Sequence, residues 1–287
     1  MPLFDRIAMV DWSAAAVPTT GRDSIWIAEV DGDGPVRTSN PSTRSQAMAQ
    51  LRAFAGQVGR VLIGFDFAFG YPRGTAEPFG GRWTDVWAWL ANEATDADNN
   101  ANDRFALAGR FNDHFPGDGP LWGHPPGRTI NALAPTKPTL VPGMPPAKRG
   151  VERIVRNAQP TGKLAYPGSV GSQTLLGIAR LERWRRDPEL EARTKIWPFE
   201  TGFGEAFGNG IVIAEIFPSL HPVRAEANEV RDEAQVRTLA RGYADLDAVD
   251  MLRDHLDGPS DPIVRDLALR EEGWIMSVAD EPLRLAA

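Results

Sequence analysis

Residues 61–67, VLIGFDF, form an almost unbroken apolar run. A strand that hides one face alternates polar and apolar residues, whereas one without alternation is buried on both faces and lies in a sheet covered on each side. That requirement directs the chain toward layered α/β architectures. Just upstream, Met48, Leu51, Ala55 and Val58 recur at three- and four-residue spacing. The spacing predicts an amphipathic helix starting after residue 41, with Ser39, Asn40 and Ser42 as candidate caps. A right-handed crossover through this helix would lay the 61–67 strand parallel to an earlier neighbour.

Three earlier strands are expected at 6–13 (RIAMVDWS), 24–30 (SIWIAEV) and 36–38, separated by turns rich in Pro and Gly. The order is then β-β-β-α-β. From 70 to 167 the pattern degrades into Pro, Gly and polar stretches such as DADNNAND, with tryptophans at 83, 87, 89 and 122. This span reads as an insertion with a helix near 84–93 and long loops, its tryptophans packing into a satellite core. Helical spacing resumes at 173–186, strands are expected at 195–199 and 211–217, a helix from about 231, and a last helical segment at 261–278. The expectation is one α/β domain over 1–287, a mixed sheet flanked by helices, with 70–167 inserted.

The chain has no cysteine and only four scattered histidines, which excludes disulfides and thiolate sites and disfavours a histidine-rich zinc site. Acids and Arg6 break the N-terminal apolar run, and no stretch approaches the roughly 20 apolar residues of a membrane span, so a cytoplasmic protein without membrane contact is expected. A net charge of −7 argues against a general polyanion binder. Locally, residues 121–165 carry Arg128, Lys137, Lys148, Arg149, Arg153, Arg156 and Lys163 against Glu152 alone, a net +6. Such a stripe suits a nucleic acid or a phosphorylated small molecule, or is a solvated loop.

The chemistry rests on acids inside apolar strands. An ionised carboxylate buried in a strand is costly unless a cation or hydrogen-bond donors compensate it. Asp11, Asp66 and Glu215 each interrupt such a run. Were the three strands neighbours, their carboxylates would form an oxygen-rich site for Mg²⁺ or Mn²⁺. The structural alternatives are a turn cap for Asp11 and Asp66 and an arginine partner for Glu215. A fourth acid comes from the helix near 231. Asp232 opens it, while Asp247 and Asp250 face inward only if the helix continues past Asp245; a break there, with Asp245 as N-cap, is the preferred reading. Ser13, Lys163, Ser169 and Ser172 are candidate substrate contacts, the last two from YPGSVGSQT, whose N–H groups and hydroxyls precede a helix start. The chain contains no Gly-x-Ser-x-Gly elbow, and no dinucleotide fingerprint follows the first strand.

The combination of VDWS closing the first strand, GFDFAFGYP after the helix, AEIFPSLHP later and a helix opening RDEAQV resembles the domain-of-unknown-function family 429 over residues 5–75 and 165–280. Its members are predicted to be nucleases of the ribonuclease H fold. The resemblance implies that Asp11 and Asp66 are the first two strand acids and Glu215 the Glu-aromatic-Pro strand end. The expected function is a metal-dependent phosphodiester hydrolase with Asp11, Asp66, Glu215 and Asp232 as ligands. A non-catalytic binding protein of the same fold and an actin-like, ATP-dependent phosphotransferase are the alternatives.

Overall fold

The structure, a computed structural model, describes residues 2–56, 59–204, 207–223 and 225–285. Strands β1 (Arg6–Asp11), β2 (Trp26–Asp31) and β3 (Arg37–Ser39) form an antiparallel meander. Helix α1 (Arg44–Ala55) then crosses over, and β4 (Arg60–Phe65) pairs parallel to β1. The span 70–167 contributes α2 (Trp83–Glu93), α3 (Arg104–Asn112) and the short α4 (Gly150–Ile154). Next come α5 (Gly171–Arg185), β5 (Thr194–Ile196), β6 (Gly210–Glu215), α6 (Arg231–Ala248) and α7 (Pro262–Leu267). The six strands form one mixed sheet in the order β3-β2-β1-β4-β6-β5, with β4, β6 and β5 parallel.

Both faces of the sheet are covered. One carries Val10, Ile27, Ile63 and Ile213 against Leu51 of α1, Trp87 of α2, Leu107 of α3 and Ile178 of α5. The other carries Met9, Ala28, Leu62 and Val212 against Val236, Leu239 and Tyr243 of α6. Successive strand residues thus alternate between two apolar layers, which explains why the runs show no polar period. Gly177 lets α5 lie directly on Phe67, because a Cβ there would run into that ring.

Several expectations need correction. The cap of α1 is Thr43, whose side chain accepts the Gln46 N–H at 3.2 Å, not Ser39, Asn40 or Ser42; Val58 lies outside the described residues. Strand β4 stops at Phe65, which leaves Asp66 just beyond it. The strand expected at 195–199 is instead Thr194–Ile196. In 261–278, α7 gives way to a π-helical turn, Ala268–Glu272, and then to an apolar tail through Trp274 and Ile275. The tryptophans of 70–167 do not all form a satellite core. Trp83 and Trp87 belong to the main layer, where Trp87 Nε1 donates to the Phe69 carbonyl at 2.8 Å and its ring meets Phe69 edge-on. Helix α6 does not break at Asp245, which is an exposed mid-helix residue paired with Arg241 at 2.9 Å. Among the described residues, no helix is long and apolar enough to cross a membrane.

Candidate active site

The ends of β1 and β4 bring Asp11 and Asp66 together. Val10 is the register partner of Phe65, and the ladder continues one step further through the Asp66 N–H to the Val10 carbonyl at 3.2 Å. The two carboxyls therefore stand side by side on the α6 face of the sheet and share a hydrogen bond. The Trp12 N–H also donates to Asp66 Oδ1 at 2.7 Å. Burial pushes Asp11 well above the usual carboxylate range, and the neighbouring Asp66 adds to the rise. Burial likewise pushes Asp66 up to about 6, although the donors from Asp11 and Trp12 pull it back. Adjacent half-buried carboxyls cannot readily both ionise, so near neutral pH the pair holds one proton in common.

Glu215 lines the same cavity as these two but does not join the carboxyl pair. It is the register partner of Phe65, on the opposite face of the sheet, and the β6 residue that continues the Asp11–Asp66 row is apolar Ile216. Glu215 is held bidentately by Arg149, Nη1 to Oε2 at 2.8 Å and Nη2 to Oε1 at 2.6 Å, and accepts the Phe69 N–H at 2.9 Å. Arg149 is itself buried and also pairs with Glu152 at 2.8 Å. Burial raises the Glu215 carboxyl while Arg149 pulls it back, as for a buried structural ion pair.

Of the three helix acids, Asp232 is the one at the site. It is close enough for its charge to raise both Asp11 and Asp66, and its Oδ2 accepts the Asp23 N–H at 2.8 Å. Asp247 lies at the far end of α6, where it accepts the Leu3 and Phe4 N–H groups at 2.6 and 2.8 Å. Asp250 is exposed beyond the helix. Asp23 was not expected. It has left-handed backbone (φ 55°), lies near enough to Asp11 to raise it, and occupies a turn with no acidic pattern to reveal it.

These acids line a cavity of about 640 Å³ between α6, the β1–β2 connection, residues 157–159 and the start of α5. Ser13 and Ser169 line it too. The Ser172 hydroxyl instead donates to the Leu164 carbonyl at 2.7 Å, and Lys163 Nζ donates to Gln159 Oε1 at 3.1 Å and the Pro167 carbonyl at 2.8 Å. The basic stripe is partly spent internally. Arg149 is in its ion pairs, and Lys148 Nζ donates to the Glu152 and Ala158 carbonyls at 3.2 and 3.0 Å. The cations that do line the cavity are Arg149 and two from other segments, Arg22 and Arg231.

Among the described residues no group of three or more His, Asp or Glu side chains stands in a ready metal-holding arrangement. What the site offers is a protonated carboxyl pair with a third acid in electrostatic reach. No protein-family model matches the chain, and neither a curated protein nor a solved structure matches it.

Proposed function

We propose that this chain is a metal-dependent phosphoester hydrolase of ribonuclease H-like architecture, with Asp11 and Asp66 as ligands of Mg²⁺ or Mn²⁺ and Asp232 as the third acid. The observation that carries this reading is the Asp11–Asp66 pair, two half-buried carboxyls side by side at the carboxyl ends of adjacent parallel strands and opening into a cavity. Crevices at such strand ends are the usual ligand sites of open α/β sheets. The antiparallel β1–β2–β3 meander followed by a helical crossover to parallel β4 supports the architecture.

The donor set fits a hard divalent ion in part. Asp11 and Asp66 supply oxygens at a place where full ionisation calls for a nearby positive charge. Glu215 does not fit, because Arg149 already neutralises it. A bound ion would activate water and stabilise a leaving oxygen. The chain's own contributions are the Trp12 N–H that orients Asp66, the Asp23 N–H that orients Asp232, and a shared proton that the pair gives up on loading. Affinity for the ion therefore rises with pH, through about 6 as Asp66 ionises and further as Asp11 does.

Thermal unfolding with and without Mn²⁺ or Mg²⁺ tests the proposal. At a hundredfold excess over Kd the wild type gains about 2.7 kcal/mol. Asp11→Asn abolishes the gain and Glu215→Gln keeps it. Metal-dependent hydrolysis of bis(p-nitrophenyl) phosphate is lost in Asp66→Asn. Absence of any metal-induced shift in the wild type removes the reading, and stabilisation by ATP together with phosphoryl transfer would replace it with the phosphotransferase.

A further inference from the structure

The cavity has cations at its mouth that no internal acid uses. Arg22, in the β1–β2 connection, and Arg231, the first residue of α6, both line it and are exposed. Among the described residues neither guanidinium makes a hydrogen bond or ion pair. Each precedes a site acid in sequence, Arg22 before Asp23 and Arg231 before Asp232, and the Asp23 N–H bond to Asp232 at 2.8 Å ties the two segments together. Two guanidiniums from separate elements thus line the same cavity as the acid pair, and each offers a planar fork of donors suited to phosphate oxygens.

The rest of the wall is rich in amides. Gln235, one turn along α6 from Arg231, and Asn157, from the opposite side, line the cavity and are uncommitted among the described residues. Amide side chains offer a donor and an acceptor together, the pairing that reads the edge of a nucleobase. A volume of about 640 Å³ is that of a small-ligand pocket. Of the seven cations in the 121–165 stripe only Arg149 lines the cavity, and it is bound to Glu215 and Glu152, while Lys148 and Lys163 are bonded to the protein's own acceptors.

We infer that the substrate is a nucleotide-sized phosphate ester rather than a nucleic-acid strand, its phosphate clamped by Arg22 and Arg231 next to Asp11 and Asp66 and its base set between Asn157 and Gln235. This inference rests on the hydrolase reading for the chemistry but not for the binding, so the two are tested separately.

The binding test is thermal stabilisation by nucleoside monophosphates, inorganic phosphate and a single-stranded oligonucleotide, without divalent metal, for the wild type, Arg22→Ala, Arg231→Ala and the double variant. Both arginines are exposed, so the variants fold. Nucleoside monophosphates should stabilise the wild type more than inorganic phosphate does, with affinity falling roughly tenfold for each arginine removed. In the hydrolysis test with Mn²⁺ and bis(p-nitrophenyl) phosphate, the same variants should lose activity mainly through a raised KM, while Arg231→Lys recovers part of it. An undiminished nucleotide shift in the double variant overturns the clamp, and stabilisation by the oligonucleotide but not by mononucleotides overturns the substrate class. Arginine-dependent nucleotide binding without hydrolysis leaves the clamp standing and removes the hydrolase; hydrolysis indifferent to both arginines does the reverse.

Discussion

At the residue scale the site stores an electrostatic cost. The carboxyl of Asp66 sits at about 6 against an ordinary 3.8, so between those values the folded chain keeps a proton that the unfolded chain releases. The stability tied to that proton is complete below the ordinary value and is lost as pH rises through about 6. Asparagine keeps an oxygen for the Trp12 N–H and offers an amide to Asp11, without the charge. Metal-free Asp66→Asn should therefore resist urea better than the wild type at pH 7.5, with the difference closing by pH 4; an equal or lower midpoint at pH 7.5 contradicts it. Asp11 and Asp66 were legible in the sequence because an acid in an apolar run stands out. Which way Glu215 faces was not. In a strand buried on both sides neighbouring positions look alike, and a shift of one residue separates Glu215, facing Arg149, from Ile216 in the aspartate row.

At the element scale, α6 does two jobs. Its first turn brings Asp232 to the cavity, and its last turn fastens the N-terminal segment, where buried Asp247 accepts the Leu3 and Phe4 N–H groups. Asp247→Ala strands two backbone donors and should cost about 2–4 kcal/mol in urea unfolding, with Asp247→Asn costing less because one acceptor oxygen survives. Equal stability of Asp247→Ala and wild type would show that water replaces the carboxylate. The sequence hid this double role because Leu246, Val249, Leu252 and Leu256 imitate a fresh helix. In the structure Val249 is 63% exposed, and Leu252 and Leu256 are buried from a separate 3₁₀ turn. The span 70–167 was opaque for another reason. Its Pro and Gly content breaks the periodicity on which helix recognition depends, yet α2 packs on α5 and Trp87 reaches the sheet layer. The order of the meander, α1 and β4 was readable, since turn residues and apolar period agree there, although the cap of α1 and the end of β4 were not.

At the scale of the whole molecule, a buried chain of hydrogen bonds ties the last described segment to α6. The Leu285 N–H donates to His221 Nδ1 at 3.1 Å, which leaves the His221 proton on Nε2, 3.2 Å from the Tyr243 hydroxyl. Tyr243 Oη is in turn hydrogen-bonded to Ser277 Oγ at 2.8 Å, and Ser277 Oγ to His255 Nδ1 at 2.8 Å. Burial, with repulsion from His255, pulls His221 down to about 4, and burial also lowers His255. The folded state needs these rings neutral, so their contribution is complete above about 6.5 and is lost as pH falls toward 4, about 3 kcal/mol for His221. This window overlaps that of the Asp11–Asp66 pair with opposite sign, so between pH 4 and 6 each masks part of the other in the wild-type profile. Replacing one member exposes the other: His221→Gln should lose stability at pH 7.5 yet approach the wild type by pH 4.5. A wild-type advantage that stays constant across that range would mean that His221 does not titrate in folding.

The Asp247 clasp also bears on how the chain comes into being. Strand β1, the middle of the sheet, is made first, but the carboxylate that secures the backbone just before it arrives 244 residues later. A nascent chain emerging from the ribosome can build the meander and add β4 early, while one face of that sheet and the backbone of Leu3 and Phe4 wait for α6. For most of its synthesis the protein therefore presents an uncovered apolar layer, and chaperone dependence should concentrate there.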